Sequence, residues 1–215
     1  MAPSVSWVET FAARNGLRYE PDADERWLRA WEPYTTLKVP SRYEHGLLAT
    51  GGAGSVSIAR AIFELPPAPM GMPSPTEIGT WIAIVQDERL AATAATTSDF
   101  RGLFGDSLEH PSADASWVHE SQRFDRISMR RRPTGDRAFD QAFASFAPDP
   151  EQLSRAVTPS VRKLLLSWRA PVHAEIRPGG FILAPVALAA NDWSLAWFLQ
   201  AIHIFGDKAT KVADS

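Results

Sequence analysis

Three groupings of residues have the types and spacing that could support chemistry. Ser160-Val161-Arg162-Lys163 has the Ser-x-x-Lys spacing, in which one helical turn sets an amine beside a serine nucleophile. His119-Glu120, with Asp125 close in sequence, offers an imidazole and carboxylates for acid–base work. Arg123, Arg126, Arg130, Arg131, Arg132 and Arg137 stand against Asp125 and Asp136, a local excess of four positive charges (6 minus 2) in fifteen residues. Guanidinium groups bind oxyanions in bidentate fashion, so this stretch could hold a phosphate, a polyanion or an acidic protein surface.

Each grouping has to survive its plainer reading. Ser160 follows Pro159 at a helix start, and the Lys-Thr-Gly and Ser-x-Asn elements that complete Ser-x-x-Lys catalysis are missing. On a strand, His119 and Glu120 point to opposite faces, so they form no dyad by local geometry. His45, His110, His119, His173 and His203 show no i, i+4 pair and no His-Glu-x-x-His, the patterns that aim two rings at one metal. His203 lies in an apolar helix and reads as a hydrogen-bonded core or interface histidine. Gly52-Ala53-Gly54-Ser55-Val56-Ser57 looks superficially like a dinucleotide fingerprint. It carries Ser57 at the third glycine position and precedes a β-rich run, so no helix dipole waits for a pyrophosphate. It reads as a hairpin turn. There is no Lys-Ser or Lys-Thr pair for a phosphate loop and no Gly-x-Ser-x-Gly elbow. No catalytic residue, cofactor or metal ligand is therefore assigned. The residues given a binding role are Arg126, Arg130, Arg131 and Arg132, for an anion or an acidic partner; the competing reading is a charged edge strand that resists sheet-to-sheet aggregation. No nucleic acid is expected, because no recognised nucleic-acid motif accompanies the arginines and the chain carries a net charge of -3.

The elements that would position these residues follow from local signals. Ser6-Trp7-Val8-Glu9 reads as a capping box opening a helix that stops at Gly16 and buries Trp7, Val8, Phe11 and Ala12. Asp22-Ala23-Asp24-Glu25 predicts a second helix, presenting Trp27, Leu28 and Trp31 before Pro33. The tryptophans of both helices are expected to anchor the core. Gly46-Leu47-Leu48-Ala49-Thr50 and the β-rich run 55–63 predict a hairpin. Pro66, Pro67, Pro69, Pro73 and Pro75 make a loop. Strands are predicted at 80–85, 117–119 and 126–130. Residues 91–97 are a low-complexity Ala/Thr stretch, and Ser98 or Asp99 could cap one helical turn. For residues 138–146, period two would align Phe139, Gln141 and Phe143, whereas period four would stack Phe139 on Phe143; a strand is preferred. Asp149-Pro150-Glu151-Gln152 and Thr158-Pro159 start helices. Residues 171–183 form a second hairpin around Arg177-Pro178-Gly179-Gly180. Asp192 is expected to cap a last helix that runs to Phe205 and stops at Gly206. Strands joined by turns predict an α+β fold: an antiparallel sheet of hairpins packed against short N-terminal helices and a C-terminal helix.

The chain of 215 residues is 45% apolar with no cysteine, which excludes disulfides, thiolate nucleophiles and cysteine-bound metals. Its size buries about 70% of the unfolded surface, enough for one core. A single domain over 1–215 is expected, with two lobes possible in principle only near 133–137. The N-terminus lacks a cationic start and an apolar run, so no secretion signal or membrane span is expected and a cytoplasmic location follows. The preference for arginine over Lys38, Lys163, Lys208 and Lys211 reads as a GC-rich bacterial genome.

The last helix has two apolar stripes, Leu195, Phe198, Leu199 and Ile202 on one side and Trp193, Ala196, Trp197 and Ile204 on the other. Such a helix has to be covered twice, by the core, a second subunit or a membrane surface. From Phe139 onward, Phe139-Asp140-Gln141-Ala142-Phe143, an acidic turn, Thr158-Pro159, a hairpin and a terminal helix together resemble the layout of uncharacterised bacterial domains. The resemblance covers about a third of the chain, rests on structural punctuation and implies no activity. The function expected is a non-enzymatic binding module with a protein partner, or a homodimer, engaged through the C-terminal helix. The alternatives are a hydrolase or transferase built from scattered residues such as His119, Glu120 and Asp125, and a peripheral membrane module.

Overall fold

The computed structural model describes residues 6–23, 40–51, 54–64, 77–98, 129–186 and 188–211. The chain opens with helix α1 (Trp7–Arg14), where the Ser6 hydroxyl accepts from the Glu9 N–H at 3.3 Å. Four strands follow, β1 (Arg18–Glu20), β2 (Arg42–Gly51), β3 (Gly54–Glu64) and β4 (Glu77–Gln86), and each pairs antiparallel with the next. The β2–β3 hairpin closes at Gly51 opposite Gly54. A Cβ on Gly54 would collide with the Gln86 carbonyl oxygen, so the glycine there serves a backbone crossing and no phosphate.

β5 (Ala94–Thr97) and β6 (Arg130–Arg131) precede helix α2 (Arg137–Ala142), strand β7 (Ala144–Ala147), and helices α3 (Pro150–Ala156) and α4 (Pro159–Ser167). The hairpin of β8 (Val172–Arg177) and β9 (Gly180–Pro185) then leads to α5 (Asp192–Thr210). Gly179 turns that hairpin with a φ of 90°, a left-handed conformation that costs glycine nothing. The hairpin inserts between β4 and β5, giving one antiparallel sheet in the order β1-β2-β3-β4-β9-β8-β5-β7-β6. The described residues thus form an α+β fold with helices at both ends of the chain, as the hairpin spacing predicts.

The described helices all bury against one face of the sheet. Val8 and Phe11 of α1, Leu165 of α4, and Leu195, Phe198, Ile202 and Phe205 of α5 join Leu47, Ile58, Trp81, Ala174 and Leu183 in a single core. On the opposite face Ala61, Phe63, Ile82, Ile84, Ile182 and Ala184 form a separate buried cluster.

Several local expectations are corrected. Residues 138–146 are not one strand: α2 ends at Ala142 and β7 begins at Ala144. The Asp136 carboxylate accepts from the Ala138 and Phe139 N–H groups, and the Asp140 carboxylate accepts from the N–H groups of Thr134 and Gly135. These bonds start the helix, and Phe139 stacks on Phe143 with centroids 4.6 Å apart, the period-four alternative. The Ala/Thr stretch contains β5, which lies between β8 and β7; pairing on both sides overrides the weak strand preference of alanine. Asn191, not Asp192, caps α5, and Asp192 instead pairs with Arg14 of α1. α5 passes through Gly206 to Thr210, with Gly206 set against the Phe181 ring. Trp7 is only partly a core residue: it is 37% exposed and meets Trp81 edge-on. The second helix with Trp27 and Trp31, the proline loop, the turn at Ser98 or Asp99 and the strand at 117–119 lie outside the described residues, wholly or in most of their length.

Candidate functional site

The arginine stretch reaches the structure as β6, which hydrogen-bonds to β7 at the end of the sheet order. Arg130 and Arg131 are exposed. Arg132, next along the chain, is turned to local structure, and its guanidinium donates to the carbonyls of Ala147 at 3.2 Å and Pro148 at 2.7 Å. It therefore holds the chain between β7 and α3, and two of its donors are already engaged. Arg126 lies outside the described residues. Of the four arginines assigned to binding, the structure leaves Arg130 and Arg131 exposed on opposite faces of β6 and diverts Arg132 to local structure.

Beside Arg132 is a cleft of about 490 Å³ lined by Pro133, Thr134, Pro150, Leu153, Val157 and Arg162, among others. Its polar lining is bonded within the protein. The Thr134 hydroxyl donates to Asp140 at 2.8 Å, and Arg162 donates to the Val157 carbonyl at 2.8 Å and faces Asp136 at 3.4 Å. Ser160 and Lys163 of the Ser-x-x-Lys spacing are exposed on α4, whose cap is Thr158.

The histidine-carboxylate pair of this chain is one that motif reading passes over. His173 Nε2 lies 2.9 Å from Glu175 Oε1, and Glu175 Oε2 lies 3.8 Å from the Arg177 guanidinium. Strand alternation puts these three residues on one face of β8, opposite Val172, Ala174 and Ile176. Their cross-strand neighbours are small or apolar: Thr97 and Ala184 beside His173, Ala95 and Ile182 beside Glu175, and Gly180 beside Arg177. His173 is 0% and Glu175 1% exposed, so no substrate reaches the pair in this state. The signal in the sequence is ionisable residues at alternate positions of a strand predicted to be apolar. His119, Glu120 and Asp125 lie outside the described residues.

Two further polar sites come from the sheet. His45 has a φ of 54° at the bulge in β2, an uncommon conformation in which histidine is nonetheless enriched. Its Nδ1 shares a 2.8 Å hydrogen bond with the Tyr19 hydroxyl. Burial pushes the Tyr43 hydroxyl above its ordinary range. At the far end of β4, Arg89 hydrogen-bonds Asp87 through Nε at 2.8 Å and Nη2 at 2.6 Å, which holds that carboxyl below its ordinary range. Among the described residues no group of three or more His, Asp or Glu could hold a metal ion.

The last surface is the outer side of the helical layer. Among the described residues the exposed large hydrophobics are Trp7, Leu166, Trp193 and Ile204. All four lie on α1, α4 or α5, the layer that covers one face of the sheet. Trp193 is 77% exposed. The first stripe of α5 is buried as expected, with Leu199 half-buried, whereas Trp193, Ala196 and Ile204 of the second face solvent. Trp197 is half-buried against Trp168, with ring centroids 5.8 Å apart. His203 is exposed, which corrects its reading as a core histidine and leaves it on this outer face. No described helix is long and apolar enough to cross a membrane.

No protein-family model matches the chain, and no curated protein matches it. The chain, whose described residues form an antiparallel nine-stranded sheet with helices on one face, is similar in fold to the crystal structure of the mycobacterial trehalose monomycolate transport factor A, TtfA. The similarity has a TM-score of 0.58 and covers 94% of this chain and 91% of that one, at 11% sequence identity. At that identity the likeness is one of fold.

Proposed function

We propose that this protein is a non-catalytic binding module that docks a protein partner on its helical layer. The observation that carries the reading is Trp193, a large aromatic side chain 77% exposed on the outer face of α5. Aromatic residues of this kind are the usual anchors of protein interfaces. Trp7, Leu166 and Ile204 are also exposed on helices of the same layer. The fold likeness to a transport factor agrees with a binding role. Arg130, whose register partner Ala147 lies on the helix-bearing face, offers a second contact at the β6 end of the sheet, suited to an acidic region of the partner.

The test is a photo-crosslinking residue placed at Trp193 in the full chain, in its own cells, with Glu88 as an exposed control position on the β4–β5 connection. A discrete protein adduct is expected at position 193 and not at 88, with lower yield when Arg130 is replaced by Ser. No adduct at 193, or equal adducts at both positions, overturns the reading.

A further inference from the structure

We propose that Arg60 and Trp81 form a binding site for a small carboxylate with an apolar body, on the helix-bearing face of the sheet beside the start of α1. The two residues are register partners on β3 and β4. Ile58, two positions before Arg60, and Trp81 itself belong to the core under the helices, so strand alternation puts both side chains on that face. Gly79 fixes where the guanidinium goes: a Cβ there would stand 2.9 Å from Arg60 Nε and 3.0 Å from Nη2. The fork therefore lies over bare backbone.

Two donors at this place are uncommitted. The Trp81 indole N–H is buried and has no hydrogen-bond partner, a state that few buried polar groups keep. Arg60 is half-buried. The carboxylates on its face are Glu44, opposite it on β2, and Glu77, two residues before Gly79. Arg42 takes both, donating from Nε to Glu44 at 3.0 Å and from Nη1 and Nη2 to Glu77 at 2.7 and 2.9 Å. Among the described residues no hydrogen bond or ion pair reaches the Arg60 guanidinium.

The chemistry of these donors selects the ligand. A guanidinium fork matches the two oxygens of a carboxylate, and the indole N–H adds a donor from the adjacent strand. With Arg42 and Arg60 set against Glu44 and Glu77 the patch is electrically neutral, so it accepts one negative charge at lower cost than the two of a phosphate. Trp7, 37% exposed and edge-on to Trp81 with centroids 6.3 Å apart, supplies an aromatic wall for the apolar body.

The test follows the indole N–H resonances of the isotope-labelled full chain by nitrogen–proton NMR, with octanoate as the probe. The Trp81 resonance is identified by its loss in Trp81→Phe. Octanoate is expected to move it downfield saturably, whereas octanol, with the same chain and no charge, is not. Arg60→Gln should weaken octanoate binding by about 10- to 100-fold, the scale of a lost charge-assisted contact. Gly79→Ala should weaken it as well, because the added methyl meets the guanidinium. The other indole resonances report whether each variant is folded; where a buried change disturbs them, the half-exposed Arg60→Gln decides. No shift up to about 10 mM octanoate, an equal response to octanol, or full affinity in Arg60→Gln overturns the proposal. Tighter binding of inorganic phosphate than of octanoate overturns the ligand class. The docking reading stands or falls separately, on the cross-link at position 193.

Discussion

On the helix-bearing face of the sheet, β8 buries Val172, Ala174 and Ile176; on the opposite face the same strand buries His173, Glu175 and Arg177. The two sets are equally hidden from water and differ in what burial asks of them. Apolar side chains contribute in proportion to the area removed from water, without regard to direction, so a change of one methylene produces a graded loss. Ionisable side chains in the same position stand only while their partners stay in place, because a buried charge that loses its counter-charge is far costlier than a lost contact. A single strand thus serves as ordinary core on one side and as a coupled polar row on the other.

Three sets of variants put this contrast at risk. The largest effect is expected at Glu175, which lies between the His173 imidazole and the Arg177 guanidinium. Glu175→Leu should cost about 3–5 kcal/mol in urea unfolding, whereas Ile176→Val across the strand should cost about 0.5–1.5 kcal/mol. Equal losses would mean that the row is held no differently from the apolar core.

Next is Arg132, a charge engaged with carbonyls near the β6 end of the sheet. Arg132→Ser removes charge-assisted bonds to Ala147 and Pro148 and should lower stability by about 1–2 kcal/mol. The change Arg130→Ser should stay within about 0.5 kcal/mol, as exposed substitutions do. A variant that unfolds would show that this outer arginine is structural too.

Asp87 has a mixed environment: its carboxylate is nearly buried, but its partner Arg89 is mostly exposed. Because the Arg89 hydrogen bond lowers its folded pKa, the stabilisation is complete above the ordinary carboxylate pKa and is lost as pH falls through the lower folded value. Asp87→Asn should therefore cost about 1 kcal/mol at neutral pH, discounted for solvent screening. It should also flatten the acid side of a melting-temperature profile below about pH 4. A variant whose acid profile matches the unaltered chain would remove Asp87 as a source of that slope.

Much of the fold was legible because its signals are local. Ser6, Asp149 with Pro150, and Thr158 with Pro159 each open a helix where the sequence places one, since a cap bonds an N–H two or three residues away. Both hairpins turn at glycines read from the sequence. The preference for a strand at 138–146 failed because the decisive bonds come from Asp136 and Asp140 to backbone on either side of Gly135, which a count of alternating aromatics does not register. In the candidate site, the exposure of Arg130 and Arg131 was consistent with their charge. The diversion of Arg132 was not visible, because its acceptors lie fifteen and sixteen residues away.

The amino-acid sequence by itself determined the α+β character, the helix starts, the turns and the absence of thiol chemistry, because each depends on composition or on groups within a few residues of one another. Only the tertiary structure decided that β9 would join β4 and β8 would join β5, that His173 would meet Glu175 in a dry row, and which stripe of α5 would face the sheet. Those outcomes depend on burial between segments distant in the chain, where several pairings satisfy the local rules and only packing of the whole selects among them.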